Sequence, residues 1–557
     1  MLKMKAIITR LRSPTRSFRP CQQSLLQWRH FDTSSGRRQL INSGPSNSNA
    51  LGNQANEGEE DGQAGSNTNT NWKATAFKMF ESAATTFASI ALLGLAGYSY
   101  HKYYKFLIIQ KMENAFAPGD PVLAVSDIGK APPPDEDGRD HLGWIRQSEQ
   151  DKINDIIDGT DKGHYILLVG EKGTGKSSML LKAIQRIDGE GIGMFEAHAD
   201  LEIFRIRLGK ALDYEFHEDY IGSLFSIRGP REGALLDIER AFNKLEKVAV
   251  KRRQLIGRPL VLVINSTHLL RDDEDGRDLL ELIQQRAEQW AASGLATVVL
   301  NSDDYWVYER LKQYATRMEV VPVLDLPKDQ AISALRQYRV KAYGEKPTFE
   351  VLEQVYDLVG GRLTFLARVA KSPDMLQACR QICLMEKTWF LNKAWILGET
   401  MDDDVMDQQK YASAAMVLAK ALVDQEAEAE KSYDPEKGHI LPQIPLHKAR
   451  EIMTRADFIK DYDHNNIFTI DAQAMVRADS VPMQNAFREI CTQPDFEQHL
   501  KATLDRIAAI ESLGRTREVV AKDLISGKYR LRGRSDRSDG IIVEVVSDPD
   551  TSSGQGD

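Results

Sequence analysis

Gly170-Glu171-Lys172-Gly173-Thr174-Gly175-Lys176-Ser177, with Ser178 after it, brings together the residue types that hold a chain of phosphates. Glycines let successive backbone N–H groups turn inward around phosphate oxygens, a lysine reaches the outer phosphates, and a serine hydroxyl ligates a hard divalent cation. The run lies between the apolar Tyr165–Val169 and the helix-like Ser178–Ala183, which is the strand, loop and helix setting that a Walker A loop requires. Residues 170–178 are therefore expected to bind a nucleoside triphosphate, ATP with Mg2+, with Lys176 on the phosphates and Ser177 on the metal.

Hydrolysis needs more than the loop. In a standard Walker B strand an Asp holds the metal and the following Glu polarises water, but the apolar run Leu260–Ile264 ends in Asn265 and Ser266. An amide hydrogen-bonds a metal-bound water yet adds no negative charge, so metal affinity and water activation should both fall. The nearby Asp272-Asp273-Glu274-Asp275 is either a substitute source of carboxylate or a solvated loop. Asn301, ending Thr297–Leu300, is expected to touch the γ-phosphate or orient water, with turn capping as its rival role. Arg317, ahead of the following strand, is expected to reach a neighbour's nucleotide in trans, with helix-dipole complementation as its rival. The sequence leaves open whether ATP is hydrolysed or only bound.

The elements that must position these residues read as an α/β fold. Short apolar strands at Tyr165–Val169, Gly193–Glu196, Leu260–Ile264, Thr297–Leu300 and Glu319–Val323 alternate with amphipathic helices, including Leu235–Arg253. That alternation predicts a three-layer α/β/α unit around a parallel sheet, spanning 141–325. A helical lid is expected over 326–400, an acidic linker over 401–440, a second α+β unit over 441–546, and a disordered tail over 547–557. The second unit is suggested by Phe468–Ile470, Val476 and the helix-like Met483–Ile490.

The order of parts resembles the AAA+ superfamily, in the branch shared by origin-recognition-like, archaeal-type and STAND ATPases. Ile145-Arg146-Gln147-Ser148-Glu149 is similar to that branch's segment ahead of the phosphate loop, and Val359-Gly360-Gly361-Arg362-Leu363 is similar to its Gly-Gly-x-Pro lid motif, with Leu363 where proline is usual. The resemblance implies that Arg362 lies near the phosphates or base. The layout as a whole resembles fungal mitochondrial AAA+ proteins with a terminal winged helix, which implies a winged-helix-like unit over 441–546.

Ahead of the α/β unit the chain carries an address and an anchor. Residues 1–31 contain Lys3, Lys5, Arg10, Arg12, Arg16, Arg19 and Arg29 with no acidic residue, the composition of a mitochondrial presequence. Residues 32–81 are rich in Ser, Asn and Gly and are expected to be a disordered spacer. The uncharged 82–100 is long enough to cross a bilayer as a helix, with Tyr98 and Tyr100 as interfacial residues, and 101–140 is expected to be a linker. Small residues along the span, Ala84, Ala88, Gly94 and Gly97, suit self-association. These features predict a single-pass protein of the mitochondrial inner membrane, the side of its body left open.

A chain of 557 residues exceeds one ordinary core, and its formal net charge of -9 argues against a surface generally coated by nucleic acid. A local basic cluster, Lys528, Arg530, Arg532, Arg534 and Arg537, keeps nucleic acid or anionic lipid among the candidate partners. The four cysteines are too few for a disulfide framework, and Cys379 and Cys383 are expected to be buried thiols rather than zinc ligands. The function expected is coupling of nucleotide state to remodelling of an unidentified protein partner. Its alternatives are a nucleotide-gated scaffold that does not turn over, and a tether of mitochondrial nucleic acid.

Overall fold

The computed structural model describes residues 71–119, 145, 147–216, 233–396, 405–428, 433–434, 438–526, 528–533 and 541–546. The presequence, most of the spacer and the terminal tail lie outside the described residues, as do 120–140 of the expected linker.

Five strands form the central sheet: β1 (Tyr165–Val169), β2 (Ile192–Glu196), β3 (Leu260–Asn265), β4 (Ala296–Ser302) and β5 (Met318–Pro322). They are parallel, in the order β2-β3-β4-β1-β5. Parallel strands covered on both faces alternate which layer each side chain enters. Tyr165 and Leu167 of β1, Leu262 and Ile264 of β3, and Val298 and Leu300 of β4 pack to one side. There they meet α4 (Leu201–Ala211), α5 (Ala234–Ile256), α6 (Glu274–Ser293) and α7 (Tyr305–Lys312). Ile166, Leu168, Val261, Val263, Val299 and Val321 pack to the other, against α2 (Gln150–Ile157) and α3 (Lys176–Arg186). The three-layer arrangement expected from the alternation is present.

The long α1 (Asn71–Asn114) corrects two expected boundaries. Residues 71–81 are helical rather than spacer, and 101–114 continue the same helix rather than opening a linker. Ile108, Met112 and, just past the helix, Phe116 are buried, and the last two join the core beneath β2. An apolar i, i+4, i+8 stripe in the presumed linker carried that signal. Earlier along α1, Phe87, Ile90, Leu92, Leu93, Leu95 and Tyr98 are exposed, and the helix is long and apolar enough to cross a membrane by length and composition.

After β5 come α8 (Lys328–Tyr343), α9 (Phe349–Val359), α10 (Leu363–Ala370) and α11 (Met375–Ala394), packed around Leu335, Leu352, Val355, Leu366 and Cys379. Burial pushes the Cys379 thiol up to about 12, as expected of a core thiol. The expected acidic linker is overturned: α12 (Met406–Glu428) is a core helix, with Ala412, Ala415, Met416, Ala419 and Leu422 buried. Its acidic ends masked that stripe. After the two-residue strands β6 (Tyr433–Asp434) and β7 (Gly438–His439), α13 (Leu446–Met453), α14 (Phe458–His464) and α15 (Val481–Cys491) pack with α12, as does the small antiparallel sheet of β8 (Ile444–Pro445), β9 (Phe468–Ile470) and β10 (Met475–Ala478), in the order β8-β10-β9. Phe496–Ser526 and a hairpin of Lys528–Gly533 with Ile541–Val546 complete the described chain. Lys528, Arg530 and Arg532 fall on that hairpin; Arg534 and Arg537 lie outside the described residues.

Candidate nucleotide-binding site

The chain leaves β1 at the carboxyl edge of the sheet and turns through Gly170–Gly175 into α3. Gly173 (φ +89°) and Gly175 (φ +106°) adopt left-handed backbone, so glycine is required at both. Gly170 is required for another reason: a Cβ there would lie 2.1 Å from the Val323 carbonyl oxygen. The turn therefore holds its shape because β5 and the lid press on it.

Lys176 opens α3 with its side chain only 4% exposed. Its ammonium donates to the carbonyls of Gly170 at 2.7 Å and Glu171 at 2.9 Å, and pairs with Asp303 Oδ1 at 2.8 Å. All three ammonium donors are thereby matched. Burial pushes its pKa down, and the Asp303 carboxylate opposes the shift.

The register of the strands sets Asn265 and Asn301 next to each other at the carboxyl edge, because Ile264 faces Leu300 and Leu168 faces Asn301. Ser177 Oγ donates to Asn265 Oδ1 at 3.0 Å, and Asn301 Nδ2 donates to Ser177 Oγ at 3.1 Å and also to Asn265 Oδ1. Asn301 Oδ1 is buried without a partner. These side chains form an uncharged triangle where a Walker B carboxylate would stand. Their oxygens, with the Asp303 carboxylate, are the hard donors that Mg2+ takes. The residues present fit Mg2+, with Ser177 Oγ as the ligand and Asn265 and Asn301 as partners of its water shell.

Beside the loop opens a cavity of about 470 Å³, lined by Lys176, Ser177 and Asp303 at one end and by Ile145, Tyr338, Leu363 and Ala367 elsewhere. A polar, cationic end with an apolar body matches a triphosphate joined to a planar base. Gln147, from the segment ahead of the loop, is 3% exposed and braces the turn by donating from Nε2 to the Thr174 carbonyl at 2.9 Å. Lys172 and Ser178 are exposed at the rim, and Glu171 is buried behind the loop.

Two of the expected residues do not line this cavity. Arg317 is exposed at the opposite end of the sheet, where its carbonyl accepts from the Tyr165 N–H and Tyr165 faces Met318. The length of β1 puts it roughly 16 Å from the loop of its own chain. Arg362, expected near the phosphates or base, is held in a buried cluster, close enough to Lys176 for its charge to lower that lysine's pKa. It pairs with Asp325 (Nε to Oδ1, 3.0 Å) and with Asp479 (Nη1 to Oδ2, 2.6 Å), and donates to the Asp479 carbonyl. Burial disfavours its charge, but the two carboxylates more than reverse the effect and raise its pKa.

The acidic run does not reach the pocket. Asp272 pairs with Arg277 and Lys460, and Asp273 caps α6 by accepting from the Gly276 N–H. The carboxylate that does line the cavity is Asp303, two residues past Asn301. A second residue not anticipated from sequence is Arg477 on β10, which pairs with Glu171 inside the phosphate loop. Asp303 sits at a strand end next to the loop and could have been found by its position. Arg477 is 306 residues from Glu171 and Asp479 is 117 residues from Arg362 in sequence, and neither carried a local signal.

A family model described as an AAA ATPase domain matches residues 144–299. A second, described as the C-terminal winged helix domain of a fungal AAA protein, matches residues 392–511. No curated protein matches the chain. Among solved structures, the chain is similar to the Walker-type ATPase PABY2304 of Pyrococcus abyssi at 13% identity and a TM-score of 0.40, over 62% of this chain and 96% of that one. It is also similar to the replication initiator DnaA bound to AMPPCP and single-stranded DNA at 10% identity and a TM-score of 0.28, over 66% of this chain and 95% of that one. Residues 144–299 of this chain, which hold the phosphate loop and strands β1 to β3, are similar to the AAA ATPase domain, and residues 392–511 are similar to the C-terminal winged helix domain of fungal AAA proteins.

Proposed function

We propose that this protein is a membrane-anchored mitochondrial ATP-binding machine in which nucleotide state changes the posture of the lid and winged helix, and so their grip on a protein partner. The single observation that carries this reading is the pair of contacts from β10 and the turn after it. Arg477 pairs with Glu171 of the phosphate loop, and Asp479 pairs with Arg362 at the start of α10. Buried ion pairs are sensitive to displacement of either partner, because the one left behind is stranded without water. Phosphates entering the loop disturb Glu171 and its neighbours first, and the winged helix is tied to them directly.

The acid-free first 31 residues support the mitochondrial address, and the exposed apolar run on α1 supports a single span. Arg317, far from its own loop and exposed, suits a role in trans within an oligomer. A second reading, a nucleotide-gated scaffold with little turnover, is favoured by the uncharged Ser177, Asn265 and Asn301 triangle. The experiment is MgATP binding and turnover by the full chain and by Lys176→Ala. Binding weakened at least about tenfold in the variant is expected from loss of a charge-assisted contact. Turnover above that of the variant supports the ATPase, equal rates leave the scaffold, and equal binding removes both.

A further inference from the structure

The only acidic side chain lining the described nucleotide cavity is Asp303. It arrives from β4, whereas the usual metal-binding carboxylate arrives from β3, where this chain has Asn265 and Ser266. Two contacts fix its place. Its backbone N–H donates to His268 Nδ1 at 3.1 Å, and its Oδ1 lies 2.8 Å from Lys176 Nζ. The first bond leaves the proton of a neutral His268 ring on Nε2, which lies 3.8 Å from Asp303 Oδ2. Asp303 is thus held from behind by a histidine while its carboxylate neutralises the lysine that a triphosphate needs.

A triphosphate brings several negative oxygens to Lys176 and displaces a single carboxylate from it. The released carboxylate stays in the same cavity as Ser177, because its backbone is anchored to His268. Hard oxygen donors beside a phosphate chain are what Mg2+ and its water shell require. We propose that Asp303 supplies from β4 the negative charge that β3 no longer provides: it guards Lys176 in the empty pocket and holds magnesium-bound water beside Ser177 once a triphosphate has taken the lysine. The proposal rests on reading the cavity as the MgATP site.

The two duties predict opposite effects of one substitution. In Asp303→Asn the side-chain shape and the backbone bond to His268 remain, but the charge is gone. Calorimetric titration of the full chain in detergent with ATP in EDTA should show tighter binding by the variant than by the wild type, because Lys176 is no longer neutralised. With Mg2+ present, the gain in affinity that the metal confers on the wild type should shrink about tenfold, the worth of one charge-assisted contact. Adding Asn265→Asp to Asp303→Asn returns a carboxylate from the neighbouring strand and should restore the gain, a rescue that repair of packing alone does not give. An unchanged magnesium gain in Asp303→Asn overturns the proposal, as does an equal loss of affinity with and without the metal, which marks a structural role. Absence of ATP binding by the wild type in both conditions overturns the proposal together with the reading of the cavity.

Discussion

A lysine 4% exposed is tolerable only because every proton of its ammonium has an acceptor, and at Lys176 two of the three are carbonyls of the loop itself. The loop was legible in the sequence because its chemistry is local: glycines, lysine and serine lie within eight residues, and backbone sterics alone dictate where glycine must stand. The partners of the loop were not legible. Asp303 and Arg477 reach it by strand register and by docking of a distant unit, and neither leaves a spacing pattern. The partners of Arg362 were hidden for a related reason, since sequence shows the arginine but not the Asp325 and Asp479 that claim it. The same scale gives a prediction for the cysteines. With burial pushing Cys379 and Cys491 up to about 12, both should stay unalkylated by iodoacetamide at pH 8 in the folded chain and react only after denaturation. Peptide mapping by mass spectrometry checks this, and native labelling of either would contradict the packing described.

At the scale of elements, the junction between sheet, lid and winged helix is built with no spare room. A Cβ on Gly361 would lie 1.9 Å from the Leu326 carbonyl oxygen, and the Gly361 carbonyl already accepts the Leu326 N–H at 3.1 Å. Gly361→Ala should therefore lower the denaturation midpoint by an amount equivalent to about 2 kcal/mol or more, as strained core substitutions do. An unchanged midpoint would mean the two segments separate freely. Asp479→Ala leaves Arg362 buried with Asp325 alone and should cost about 3 kcal/mol in urea denaturation, the range for breaking one buried pair. Strands of the sheet could be read from apolar runs because both of their faces are buried. Helix α1 runs past its expected end and α12 replaces an expected linker, because polar or acidic flanks hid apolar stripes one turn apart, Ile108 to Met112 to Phe116 and Ala412 to Ala415 to Ala419. In both, burial against a partner outweighed the composition around it.

At the scale of the whole molecule, α1 joins an exposed apolar run to residues packed under the sheet without a break in the helix. If the run is the membrane span, the full chain should pellet with membranes after alkaline carbonate extraction, and deletion of residues 76–100 should release it. Release of the intact chain would remove the anchor from the account. The central claim is that occupancy of the phosphate loop is felt at the winged helix through Arg477 and Asp479. Hydrogen–deuterium exchange of the full chain with and without MgATP tests it most directly. The account predicts slower exchange over Gly170–Ser178 together with a change over Met475–Phe487, both lost in Lys176→Ala. Protection of the loop with no change in the winged helix would contradict the coupling, and no change in either would contradict the site.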